Sequence, residues 1–96
     1  MKTKQEILSV LAKDKPELQR QFKVQKIALF GSYARGQQRE DSDVDIFVEV
    51  DPTIGLEFVT LARKLEELLQ MSVDLVSSRA IKPRHREIIE RDLIYV

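Results

Sequence analysis

Two aspartates one residue apart, Asp43 and Asp45, stand at the start of an otherwise mostly apolar stretch that runs to Val50. Successive side chains of a strand point to opposite faces, so the two carboxylates are expected to share one face. Ionising both costs repulsion unless a cation lies between them. Mg²⁺ is a hard cation that binds one or two carboxylates together with phosphate oxygens, which makes this pair a candidate metal site. The alternative is two exposed polar positions on a half-solvated strand.

A glycine–serine pair, Gly31-Ser32, ends the preceding apolar run, and a short turn from Tyr33 to Gly36 follows it. A glycine at this point lets backbone N–H groups approach a phosphate without a Cβ in the way. Ser32 adds a hydroxyl and its own N–H, and the N-terminus of a helical turn favours negative charge. The pattern predicts a phosphate-binding turn beside the carboxylates.

Two better-known motifs are excluded by the residues at their fixed positions. The glycine spacing over residues 31–36 matches a P-loop, but Gln37 and Gln38 stand where Lys and Ser or Thr are required. The run that begins at Asp41 starts like a calcium-binding EF-hand loop, but Ile46 and Pro52 replace its glycine and its final glutamate.

A third acid, Asp74, interrupts the short apolar stretch Val73–Ser77. A buried charge there costs free energy unless it has a partner. If this stretch lies beside Val44–Val50, Asp74 faces the same cleft as the other two acids. The alternative is an exposed position at the start of a strand.

Strands and helices alternate along the chain. Strands are predicted at Val24–Phe30, Val44–Val50 and Val73–Ser77, and helices at residues 3–13, residues 56–70 and Pro83–Asp92. This order predicts an α/β fold in which a small mixed β-sheet is flanked by helices.

Local signals refine these elements. Thr3 and Glu6 match a capping box, and Pro16 predicts the start of a separate short helix. Residues 93–96 are expected to add a small edge strand, and Ile88 and Ile89 are expected to point inward from the last helix.

Composition excludes several classes of protein. The chain has 96 residues and no cysteine, which predicts one domain over residues 1–96 and excludes a disulfide framework, a thiol nucleophile and a zinc–thiolate site. Its 16 basic and 16 acidic side chains balance, so neither nucleic acid nor an anionic membrane is an expected partner. No apolar run approaches the roughly 18 residues of a membrane span, and no signal-peptide pattern opens the chain. We therefore expect a cytoplasmic protein.

A cluster of basic side chains over residues 79–91 allows two interpretations. It is the solvated face of a helix, or it is a surface for phosphates or an acidic partner.

Taken together, these motifs resemble the polymerase-β-type nucleotidyltransferase superfamily and, more narrowly, the minimal nucleotidyltransferases. The resemblance rests on Gly31-Ser32, Ala34-Arg35-Gly36, Ser42-Asp43-Val44-Asp45 and the later Asp74. It covers nearly the whole chain in the order of its elements. A second domain that would hold a small substrate, as in larger relatives, is not expected.

The resemblance implies a reaction and a site. The reaction is transfer of AMP from ATP to a hydroxyl group, assisted by Mg²⁺, with two ions in the usual scheme. The implied catalytic residues and metal ligands are Asp43, Asp45 and Asp74, and the implied nucleotide-binding residues are Gly31, Ser32, Arg35 and Ser42. Arg35 or Arg39 would steady the developing charge.

The resemblance also implies a partner. Minimal nucleotidyltransferases commonly occur as antitoxins beside a HEPN-domain toxin and adenylylate a tyrosine on it, so a hetero-oligomer with such a toxin, or a homo-oligomer, is expected. Two alternatives remain. One is a non-catalytic antitoxin that neutralises its partner by binding alone, although an idle site has no reason to keep three mutually repelling acids. The other is a nucleotidyltransferase that acts on a small molecule.

Overall fold

The computed structural model describes residues 2–96. Along the chain it contains α1 (Lys4–Phe22), β1 (Val24–Phe30), α2 (Gly31–Arg35), β2 (Val44–Val50), a 3-10 turn (Pro52–Ile54), α3 (Glu57–Leu69), β3 (Val73–Ser77), α4 (Pro83–Asp92) and β4 (Ile94–Tyr95). The three main strands have the bounds predicted from the sequence, and the small edge strand near the C-terminus is also present.

The strands form one mixed sheet in the order β3-β2-β1-β4. β1 is antiparallel to both β2 and β4, whereas β3 is parallel to β2. A parallel pair cannot be joined by a hairpin, and residues 51–72, which include α3, make the crossover. The predicted α/β fold, a small mixed sheet flanked by helices, is confirmed.

The core lies between one face of this sheet and the two long helices. Alternate residues of β2 are buried on that face, as their period of two requires: Val44, Ile46, Val48 and Val50. The helices supply apolar residues at helical spacing: Ile7, Leu11, Leu18 and Phe22 from α1, and Leu61, Leu65 and Leu69 from α3. This packing fixes β2 so that its other face carries Asp45.

Helix α1 is continuous from Lys4 to Phe22. The prediction that a separate helix begins at Pro16 is therefore wrong. A proline inside a helix costs about 3 kcal/mol, because it lacks an N–H and crowds the preceding turn. Leu18 and Phe22 continue the buried stripe of the first half of the helix, and each contributes roughly 1.5–3 kcal/mol by burial. Packing therefore outweighs the local signal. The capping box at Thr3 and Glu6 is confirmed.

Helix α4 has the predicted bounds but no buried residue. Ile88 is 61% exposed, so the prediction that it points inward is wrong, whereas Ile89 is half-buried. Within residues 2–96 the main contacts of the helix are with α2 and β1, and these leave too little surface to cover both isoleucines. No helix within residues 2–96 is both long and apolar enough to cross a membrane.

Tyr33 in α2 is fully buried, and its hydroxyl has no hydrogen-bond partner within residues 2–96. Burial also raises the pKa of this phenol. A desolvated hydroxyl without a partner costs on the order of 1–3 kcal/mol. We therefore expect Tyr33→Phe to raise the free energy of unfolding by about 1 kcal/mol in urea denaturation. A loss of stability of similar size would show that the hydroxyl is bonded in solution.

Candidate functional site

The acids predicted from the sequence meet at one end of the sheet. Asp45 of β2 and Asp74 of β3 are direct partners in the parallel register. The backbone N–H of Val44 donates to the carbonyl of Ser72 at 2.9 Å, which joins the starts of the two strands. Asp43 directly precedes β2 and shares the strand side of Asp45 by alternation. The condition set for Asp74, that its strand lies beside β2, is met.

The electrostatics of this cluster centre on Asp45. Asp45 is half-buried, whereas Asp43 and Asp74 are exposed. Burial, then the negative charges of Asp74 and Asp43, raise the pKa of Asp45 from 3.8 to about 6. The positive charge of Arg35 opposes the rise in this pKa. Near neutral pH the cluster therefore holds negative charge at a free-energy cost.

Gly31 brings the glycine–serine turn against these acids. Its φ is +76°, and a Cβ at this position would overlap Oδ2 of Asp45. The sequence suggested that the space over Gly31 serves a phosphate, but its nearest neighbour here is the Asp45 carboxylate. Ser32 is the next residue of α2 and is half-buried. The turn and the acids thus form one site.

Arg35 ends α2 at the rim of the site. Its Nη1 donates to Oδ2 of Asp92 at 2.5 Å, and its Nε donates to Oε1 of Gln37 at 3.1 Å. Gly36, with φ +71°, follows and ends the helix. Sequence reasoning selected Arg35 but missed Asp92, because no local pattern connects residues so far apart along the chain.

Ser42 closes the loop that leads into β2. Its Oγ accepts a hydrogen bond from the backbone N–H of Arg39 at 2.8 Å, and its own N–H donates to the Arg39 carbonyl at 3.0 Å. These bonds fix the loop immediately before Asp43. Binding of a nucleotide by Ser42 stays a prediction.

The donor chemistry of the site suits a hard cation, although the ligand set is incomplete. No three His, Cys, Asp or Glu side chains within residues 2–96 converge closely enough to hold a metal ion. Asp45 and Asp74 nevertheless occupy paired positions on adjoining strands, and the repulsion that raises the pKa of Asp45 is what a divalent cation relieves. The residues therefore fit Mg²⁺ through this pair, with Asp43 nearby.

Two hollows flank the strands at opposite ends. A polar hollow of about 320 Å³ lies before the first residues of β2 and β3 and contains one of the three acids, Asp43; it is lined by Glu40, Asp41, Ser42, Asp43, Gln70, Met71 and Ser72. An apolar hollow of about 480 Å³ lies at the far ends of β2 and β3, against Ile54, Phe58 and Leu75. The apolar hollow contains none of the three acids, so we place the chemistry at the polar end.

Comparison with known families identifies the class of protein to which this arrangement belongs. Residues 11–96 match the family described as nucleotidyltransferase domain. Because the match spans most of the chain, the protein belongs to the nucleotidyltransferase domain family, and its substrate class is a nucleotide. The resemblance drawn from the glycine–serine and Ser-Asp-Val-Asp motifs is confirmed.

Within this family, the chain is similar in sequence to protein adenylyltransferases. A Methanocaldococcus jannaschii protein, MJ1379, provisionally named a protein adenylyltransferase, is 48% identical over 101 residues, with 100% of both chains covered. The protein adenylyltransferase MntA of Thermococcus cleftensis is 43% identical over 98 residues, covering 100% of this chain and 98% of the relative.

Solved structures support the same kinship. A protein described provisionally as a minimal nucleotidyltransferase superposes with a TM-score of 0.76 at 35% identity, covering 92% of this chain and 93% of that one. A toxin–antitoxin structure with AMP-PNP gives 0.68 at 31% identity, covering 96% and 70%. A tri-AMPylated Shewanella oneidensis HEPN toxin in complex with an MNT antitoxin gives 0.60 at 28% identity, covering 96% and 66%.

Proposed function

We propose that this protein transfers AMP from ATP, with Mg²⁺, to a tyrosine hydroxyl of a HEPN-domain toxin and thereby acts as its antitoxin. The observation that carries the proposal is the pairing of Asp45 with Asp74 directly beside Gly31. Full-length relatives named as protein adenylyltransferases support the AMP-transfer activity. The solved complex of an AMPylated HEPN toxin with an MNT antitoxin supports the acceptor and the partner.

The proposed roles follow from the positions of the side chains. Asp45 and Asp74, which occupy paired positions, would hold Mg²⁺, and Asp43 would join them as a ligand when the ion is bound. The bound ion stabilises charge on the triphosphate and on the attacking oxygen. The backbone N–H groups of Gly31 and Ser32 donate to phosphate oxygens, because both lie at the N-terminus of α2.

The remaining roles concern charge and proton transfer. Arg35 binds the triphosphate through its guanidinium. The acceptor oxygen bonds to the α-phosphorus, the bond to the β-phosphate oxygen breaks, and pyrophosphate leaves. Asp74 is exposed and takes the hydroxyl proton, since a carboxylate open to the partner can reach the attacking oxygen.

We further propose that residues 1–96 act as a single nucleotidyltransferase domain in the cytoplasm. One hydrophobic core joins residues from α1 through α3, with partly buried residues of β3 and the C-terminal segment packed against it. The lack of cysteine agrees with a reducing compartment.

The decisive experiment combines the protein, a HEPN-domain toxin, Mg²⁺ and ATP labelled in the α-phosphate. We expect label on a toxin tyrosine by mass spectrometry. Asp74→Asn is expected to lower labelling about 100-fold or more, because it removes a proton acceptor and a metal ligand, while the complex survives size-exclusion chromatography.

Glu49→Gln is the matched control, since it removes an acid of β2 that lies outside the polar hollow and pairs with Lys26. Labelling close to the original level is expected for this variant. Full neutralisation of the toxin by the Asp74→Asn protein, without any adduct, would replace the enzyme with an antitoxin that acts by binding alone.

A further inference from the structure

Asp92 makes a contact that its place in the helix does not explain. It is the last residue of α4, where a negative charge opposes the helix dipole and weakens the helix. Its side chain is nevertheless only 17% exposed, and its Oδ2 accepts from Nη1 of Arg35 at 2.5 Å. Within residues 2–96 this is the sole side-chain hydrogen bond between α4 and α2. The acid therefore serves Arg35 rather than its own helix.

Arg35 is held from two sides by this contact and by Gln37. Its Nε and Nη1 are engaged, whereas Nη2 has no hydrogen-bond partner in the described part of the chain. A guanidinium presents its donors in a rigid plane, so two fixed bonds orient the whole group. Its helix, α2, begins at Gly31, which lies directly against the Asp45 carboxylate. A fixed cation with free donors thus lies beside the proposed nucleotide site.

We propose that Asp92 is a positioning residue that orients Arg35 for the triphosphate, an inference that rests on the function proposed above. A free arginine side chain loses rotamer freedom when a ligand orders it, and this loss weakens binding. The ion pair with Asp92 orders the side chain on folding instead, so the nucleotide meets a preset group. α4 thereby becomes part of the nucleotide site through Arg35 of α2.

The test measures the affinity for Mg²⁺–AMP-PNP by isothermal titration calorimetry, alongside thermal melts. Asp92→Ala is expected to raise the Kd about 3- to 10-fold, the range that corresponds to freeing one rotamer-rich side chain. Asp92→Glu retains a carboxylate and is expected to restore part of the affinity. Glu87→Ala is the matched control, because it breaks the 3.0 Å ion pair of Glu87 with Arg91 in the same helix without touching α2. Its Kd is expected to match the original protein.

A double mutant tests whether Asp92 acts through Arg35, and two single mutants separate this inference from the proposed function. If Asp92 acts through Arg35, Arg35→Gln combined with Asp92→Ala binds no more weakly than Arg35→Gln alone. A lower melting temperature for Asp92→Ala with unchanged Kd would overturn the positioning role while leaving the proposed function intact. An unchanged Kd for Arg35→Gln would instead overturn the nucleotide-binding role of Arg35 on which this inference rests.

Discussion

Asp45→Asn is expected to abolish AMP transfer and at the same time to stabilise the fold at pH 7. Transfer should fall about 100-fold or more, because the variant loses a metal ligand at the centre of the acid cluster. The ionised carboxylate is disfavoured in the folded state, since burial and the charges of Asp74 and Asp43 raise its pKa from 3.8 to about 6. After allowance for solvent screening of this partly exposed group, the gain in free energy of unfolding is on the order of 1 kcal/mol.

The size of this gain in the free energy of unfolding depends on pH. Below about pH 4 the carboxyl is protonated in the folded protein and largely protonated in the unfolded chain, so the variant brings no advantage. Between about pH 4 and pH 6 the unfolded chain ionises first, because its pKa is the lower one, and the original protein loses stability relative to the variant. Above about pH 6 the difference in free energy of unfolding between the variant and the original protein reaches its full size. Urea denaturation of both proteins at pH 4 and pH 7 measures it.

Glu49→Gln is the control for this prediction. Glu49 lies four residues further along the same face of β2 and pairs with Lys26 at 3.8 Å across the sheet. This exposed pair contributes little, so the variant should keep both its activity and its stability within about 0.5 kcal/mol. An Asp45→Asn protein that is less stable than the original at pH 7 would contradict the proposed cost of the acid cluster.

Gly31→Ala is expected to reduce both transfer and stability. Alanine at φ +76° is strained by about 1–2 kcal/mol, and its Cβ would also overlap the Asp45 carboxylate. The carboxylate must therefore move, and a displacement of about 1 Å at a reacting centre costs about 100-fold in rate. Labelling of the partner and urea denaturation measure the two effects.

Gly36→Ala separates the steric effect from the backbone strain. Gly36 has φ +71°, but a Cβ there would have no heavy atom within 4 Å. The variant should lose only about 1 kcal/mol of stability and keep most of its activity. If the two alanine variants transfer AMP equally well, Gly31 does not hold the Asp45 carboxylate in place.

Local sequence patterns predicted most of the fold. The strand bounds of β1, β2 and β3 follow from apolar runs ended by glycine, proline and polar residues, which act over a few positions. The break predicted at Pro16 failed because the buried stripe of α1 continues through Leu18 and Phe22, and this burial is a tertiary effect. The prediction that Ile88 is buried failed for a related reason. A helical pattern does not indicate how much surface the rest of the chain provides to cover the apolar side of the helix.

The candidate site was predictable to the extent that motifs mark it. Asp43 and Asp45 stand out as acids at the start of an apolar strand, and Asp74 does so in a second strand. The sequence could predict the pairing of Asp45 with Asp74 only on the condition that their strands are neighbours in the sheet. That condition depends on the parallel crossover between β2 and β3, which is a tertiary feature. The contact of Arg35 with Asp92 leaves no trace in either local sequence, and the overlap of Gly31 with Asp45 requires the register of the sheet.

Because one of its acids lies on the edge strand β3, the site can come apart in a partial unfolding that leaves the rest of the fold intact. β3 is an edge strand, bonded to the sheet on one side, and its residues are only partly buried. Partial unfolding that releases this strand would separate Asp74 from Asp45 while β1 and β2 stay paired, because local openings take the least-buried segments first. A ligand that needs both carboxylates binds only the closed form and therefore stabilises it. Amide exchange in β3 thus becomes coupled to occupancy of the site.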